Sequence, residues 1–200
     1  MKRLFIASLA FLTMACFSAN VYGQNQELSK KEAKEQKKEQ KKAKKEMQKK
    51  IDNFGETVAF EKAAACLKNG NFVIEADQIQ SPRGGYTPVS SNTNFISMAN
   101  GESVIQVAPS NHIAGPNGVG GITVEGSVSN IKINESKSGN ITYSYNVQGI
   151  GVSASVKIVL PKGGTKATAT IYPNFSSNDI TLSGRVVAPQ NSKVFKGRSL

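Results

Sequence analysis

From residue 71 onward, apolar and polar residues trade places at nearly every second position, and clusters of Gly, Asn, Pro and Ser break the pattern at short intervals. Successive side chains of a strand point to opposite faces, so this period of two describes strands with one buried face and one wet face. The first run is Phe72-Val73-Ile74-Glu75-Ala76-Asp77, which ends in Ser81-Pro82-Arg83-Gly84-Gly85. Residues 94–98 and 103–108 make two more runs around the turn pair Asn100-Gly101, and Ile122 and Val124 open another after a glycine-rich loop. Ile131 and Ile133 face Ile141, Tyr143, Tyr145 and Val147 across Ser136-Lys137-Ser138-Gly139-Asn140, the pattern of a hairpin. Val152, Ala154, Val156, Ile158 and Leu160 alternate next. Pro161-Lys162-Gly163-Gly164 turns the chain into Ala167, Ala169 and Ile171, and Ile180, Leu182 and Val186 close the series. The pattern predicts a mainly β fold of about eight strands, an antiparallel up-and-down barrel or a sandwich. Polar outer positions exclude a parallel sheet covered on both faces.

The lead-in to this series is of another kind. Residues 27–50 hold eleven Lys and five Glu, so more than half of the formal charge of +11 sits in one stretch. Lys, Glu, Gln and Ala are good helix formers, and Glu27–Lys31 and Glu46–Lys50 have the favourable order four residues apart. Between residues 30 and 46 only Ala33 and Ala43 are non-polar, so the apolar a and d positions of a coiled coil are absent. Residues 24–50 therefore read as a charged spacer, helical or disordered. A basic run can dock on an anionic surface. This one has no aromatic to stack a base and no Arg to read a base edge, and no nucleic-acid partner is expected. An apolar stripe begins at Met47, Ile51, Phe54 and Val58, with Gly55 expected to bend or break it. A second short helix then places Phe60, Ala63, Ala64 and Leu67 on one face, ready to pack on the strands, and stops at the capping pair Asn69-Gly70. Residues 51–200 thus form one β-rich domain with an N-terminal helix. A hydrophobic content of 38% suits one modest core.

Residues 1–23 have the anatomy of a secretion signal. Lys2 and Arg3 make a basic start, residues 4–17 an apolar middle too short to span a bilayer, and Val21-Tyr22-Gly23 a small-residue cleavage site. Export to the periplasm or envelope is expected, with Gln24 as the first mature residue. The rival reading is a lipoprotein anchored through Cys16, which follows Ala15; its signal usually carries Leu three places earlier, where this chain has Thr13. A membrane partner is expected only in that case. Cleavage after Gly23 leaves Cys66 alone, in Ala63-Ala64-Ala65-Cys66-Leu67, the setting of a thiol used as a small hydrophobe.

Chemistry-bearing residues are few. The most singular stretch spans residues 108–121, with Gly115, Gly118, Gly120 and Gly121. It lacks the Lys of a phosphate loop and leads into a strand where such a loop opens a helix. It reads instead as a long β-connection, and His112, Gly115, Asn117, Gly118 and Gly120 are candidates for the mouth of a ligand site. His112 has no second imidazole to share a metal with, and Ser110 is not in a nucleophile elbow. Glu75 and Asp77, two apart on one strand face, are expected to be ordinary solvated carboxylates, and Tyr143 and Tyr145 to cap the core. No cofactor, no metal and no catalytic constellation are expected.

The block from Asn71 onward resembles a family of small exported Bacteroidetes proteins, the domain of unknown function 4251. The resemblance rests on residues 71–77, on Ser90-Ser91-Asn92-Thr93-Asn94-Phe95, on residues 114–124, on Pro173-Asn174-Phe175 and on Val194-Phe195-Lys196-Gly197-Arg198. Where similar chains carry a Leu-Pro-Tyr-Phe-Gly-like stretch, this one has Val107-Ala108-Pro109-Ser110-Asn111, without the aromatics. The resemblance implies an exported β-rich domain and no activity or functional residue. The expected role is non-enzymatic, a domain that binds an apolar small molecule or an envelope protein; the alternative is a structural envelope protein with a filled core, attached through its basic segment. Small Ala154, Ala167 and Ala169 on inner faces leave space between sheet and helix that either the helix of Phe60 and Leu67 fills or a ligand occupies. The same alternation of small and large residues also suits a closed, packed core.

Overall fold

A computed structural model describes residues 2–80, 84–109, 116–150, 152–174 and 178–199, leaving the side chains of residues 2–32 and of Val152 outside the description. The chain divides into two compact units, Met1–Asn53 and Phe54–Leu200. One helix, α1 (Lys2–Lys68), contributes to both. In the first unit every described side chain from residue 33 is exposed, as a stretch without an apolar stripe requires. The Glu46–Lys50 pair closes at 3.2 Å, and the Gln48 amide donates to Asp52 at 2.9 Å. Met47 and Ile51 are exposed too. The helix runs through Gly55 unbroken, against the expected bend. One helical glycine costs only about 1 kcal/mol, which good helix formers on both sides offset.

In the second unit the helix does what its pattern predicts. Ala63, Ala64 and Leu67 are buried, with Phe60 and Cys66 packed at the edge of the same cluster. The helix ends in a Schellman cap, Asn71 N–H donating to Cys66 and Gly70 N–H to Leu67. Gly70 takes the left-handed φ of 63° that this cap needs, and a Cβ there would stand 3.3 Å from the Tyr143 hydroxyl.

Nine strands follow among the described residues: β1 (Phe72–Gln80), β2 (Tyr86–Pro88), β3 (Phe95–Ala99), β4 (Glu102–Val107), β5 (Ile122–Glu135), β6 (Ile141–Gly149), β7 (Val152–Leu160), β8 (Lys166–Pro173) and β9 (Ile180–Val187). All neighbours are antiparallel. β1, β3, β4 and so on to β9 pair in chain order, and β9 returns to β1, closing an eight-stranded barrel. The alternative of a sandwich is resolved. Short β2 adds to the far end of β1 through Gln78, Ile79 and Gln80. The Asn100-Gly101 turn joins β3 to β4, and the β5–β6 hairpin sets Ile133 opposite Tyr143. A bulge between Ser129 and Lys132 leaves Ile131 out of this register, and both isoleucines stay largely exposed.

The barrel has two unlike ends. At the helix end β1, β6 and β8 begin and β7 and β9 finish; there Leu67, Phe72, Met98, Ile141, Tyr143 and Leu160 are fully buried. Phe72 and Tyr143 meet edge to face at 5.5 Å, and Tyr143 and Tyr145 at 5.9 Å. The Tyr143 hydroxyl donates to Met98 Sδ, and Tyr145 shares a 2.9 Å hydrogen bond with Ser103. Burial pushes both phenols above their ordinary pKa. At the open end β1 and β4 finish and β5, β7 and β9 begin.

Candidate functional site

The open end is where the interior is unfilled. A cavity of about 450 Å³ is lined by Ile105 and Val107 of β4, Ile122 and Val124 of β5, Ala154 of β7, Ile171 and Pro173 of β8, Ile180 of β9, and Pro109, Gly120 and Gly121 of the β4–β5 connection. None of these residues is polar or charged. None of the described lining residues is aromatic, whereas Phe72, Tyr143 and Tyr145 occupy the interior toward the helix. Eight strands enclose a space that side chains just fill or one small ligand shares. Here one end does each.

The apolar cavity is thus not between the sheet and the helix, the expected place of a ligand site; there the helix fills the room left by the small residues. Ala167 and Ala169 are fully buried in the same cluster as Ala63 and Leu67, and no described helical residue lines the cavity. Of the three small residues, Ala154 alone lines it.

The candidate mouth residues separate into distinct roles. His112 and Gly115 lie outside the described residues. Gly120 lines the cavity; Gly118 is exposed with φ of 77°, and Gly120 has φ of 91°, conformations that favour glycine. Asn117 is buried and its side chain is engaged in the loop itself: Oδ1 accepts from the Val119 and Gly121 amides at 3.0 and 2.9 Å, and Nδ2 donates to Thr123 Oγ1 at 3.1 Å. It shapes the mouth from behind.

Behind that loop lies a polar network that the sequence reading missed. Gln106, fully buried, accepts from Thr123 Oγ1 at 2.7 Å and from Gly197 N–H at 2.7 Å, and donates to the Thr93 and Phe195 carbonyls. The segment 192–199 is thereby held on the outside of the barrel. Arg198 N–H donates to the Asn117 carbonyl at 2.9 Å, and Lys196 and Ser199 both donate to Glu125. The Lys196 and Ser199 hydrogen bonds hold the Glu125 carboxyl below its ordinary 4.5. Gln106 amid the apolar β4 pattern is one sequence signal of this covering.

Glu75 and Asp77 do not form a site. Glu75 takes the Ser192 hydroxyl and the Lys193 amide and lies 3.9 Å from Arg185, while Asp77 pairs with Lys166 at 2.8 Å. Glu102 and Glu125 border a separate polar groove with Gln148 and Ile150. Among the described residues no three His, Cys, Asp or Glu side chains converge as metal ligands.

The family profile "Domain of unknown function (DUF4251)" matches residues 55–186, two thirds of the chain. The chain belongs to the DUF4251 family. A DUF4251 protein from Bacteroides eggerthii DSM 20697, known from a crystal structure, is 44% identical, with a TM-score of 0.63 over 74% of this chain and 99% of its own. The family match begins at residue 55, so it takes in the barrel and the packed end of α1 and leaves the Lys/Glu segment outside. No functionally curated protein matches the chain. Among the described residues no helix is long and apolar enough to cross a membrane, which leaves the cell compartment open.

Proposed function

We propose that this DUF4251 barrel is a binding protein whose ligand is a small, largely apolar molecule held in the open-end cavity. The observation that carries the reading is the lining: eleven residues from five strands and a loop, without a hydroxyl, amide or charged side chain among them, around about 450 Å³. Ligand sites are concave and mostly apolar, and this volume is in their usual range. The described lining residues offer no nucleophile, acid or base, which supports a non-enzymatic role. The basic start, apolar middle and Val21-Tyr22-Gly23 support action outside the cytoplasm, in the periplasm or envelope.

The test is organic extraction and native mass spectrometry of protein purified from its own envelope, with an environment-sensitive apolar dye as reporter. The expected result is a co-purified apolar species, or saturable dye binding that Ala154→Phe abolishes. No co-purified species together with no dye binding overturns the reading and favours a barrel with a purely structural role.

A further inference from the structure

The cavity wall has depth. Ile105 and Val107 on β4, Ile122 and Val124 on β5, and Ile171 and Pro173 on β8 each give two successive inward steps along a strand. Two residues advance about 7 Å, so three walls extend inward from the mouth. A polar group carried to that depth loses its water and meets no side-chain partner among the described lining residues, which is unfavourable. A molecule with no polar group at all is driven out of water and scarcely dissolves. These demands are met together by an amphiphile whose polar end stays outside. The rim provides the place: Ile122 lines the cavity yet is 50% exposed, so the mouth is in contact with water.

We propose that the cavity takes the apolar chain of a single-chain amphiphile tail first, with the head group left in water beside Ile122 and not itself recognised. The proposal rests on the reading of the cavity as a ligand site and names its ligand class. Recognition is then by chain alone. Affinity rises with each methylene until the cavity is full and changes little with head-group charge.

The experiment titrates the full-length protein with n-alkyl carboxylates, alcohols and trimethylammonium salts, each below its micelle-forming concentration, alongside a compact apolar dye. The expected result is about fourfold tighter binding per added methylene, levelling off at one chain length, with the three heads alike within a factor of a few. Ile122→Lys, at a half-exposed position, is expected to tighten the carboxylate and weaken the trimethylammonium salt of equal chain length. Ala154→Phe is expected to weaken all of them; where it does not fold, Ile122→Lys alone decides. A strong head-group preference in the natural protein, a flat dependence on chain length, or an equal effect of Ile122→Lys on all heads overturns the proposal. Dye binding that persists alongside any of these leaves the ligand site standing, and absence of binding by every probe removes both.

Discussion

Asn117 shows how one side chain sets the shape of the mouth. Three hydrogen bonds from its amide fold residues 117–121 over the start of β5, and its backbone carbonyl receives the Arg198 amide. Asn117→Ala leaves the Val119 and Gly121 amides without their acceptor, and the expected loss is about 1–3 kcal/mol, read from denaturant unfolding. Glu125 governs the neighbouring tail by charge. Its folded pKa is depressed, so its contribution is present above the ordinary 4.5 and is lost as pH falls through the lower folded value. Hydrogen-exchange protection of residues 195–199 is therefore expected to fall below pH 4.5 in the natural protein. In Glu125→Gln it is expected to be weaker already at neutral pH and to lack this step; identical profiles would show that Glu125 does not hold the tail.

At the scale of elements, the helix is two things in succession. Residues 33–53 present their side chains to water, and Ala63, Ala64 and Leu67 close the filled end of the barrel. Leu67→Ala is expected to cost about 2–5 kcal/mol, since it opens a cavity among fully buried neighbours. Shortening the chain to begin at Met47 is expected to change barrel stability by less than about 1 kcal/mol, the usual limit for surface changes. Thermal and urea unfolding of both variants check the contrast, and a large loss on shortening would mean that the Lys/Glu segment packs somewhere. The packed half of the helix was legible because Phe60, Ala63, Ala64 and Leu67 repeat at helical spacing before a glycine cap. Eight of the strands were legible because polar residues mark their outer faces. β2 was not, since three residues including Pro88 carry no periodicity. Nor was the continuity of α1 at Gly55, where a single-residue breaker signal was outweighed by its neighbours.

For the whole molecule, the governing contrast is between a barrel end filled by rings and helix and an end lined by Ile, Val, Ala, Pro and Gly. The alternating small and large residues were compatible with spare room or with a packed core; Ala167 and Ala169 are packed, and Ala154 borders the cavity. Which end holds that room was not legible, because it depends on how the barrel closes and on where the helix enters. Neither is written in the period of any one strand. The outer tail was hidden for the same reason: Gln106 reveals its purpose only when residues far along the chain arrive to bond with it. The most direct test of the account is isoleucine methyl NMR of the full-length protein titrated with n-decanol. The account predicts saturable shifts at Ile105, Ile122, Ile171 and Ile180, which line the cavity, with Ile141 and Ile158 toward the helix end little changed. Shifts confined to exposed Ile131, Ile133 and Ile150, or no shifts at all, would contradict it.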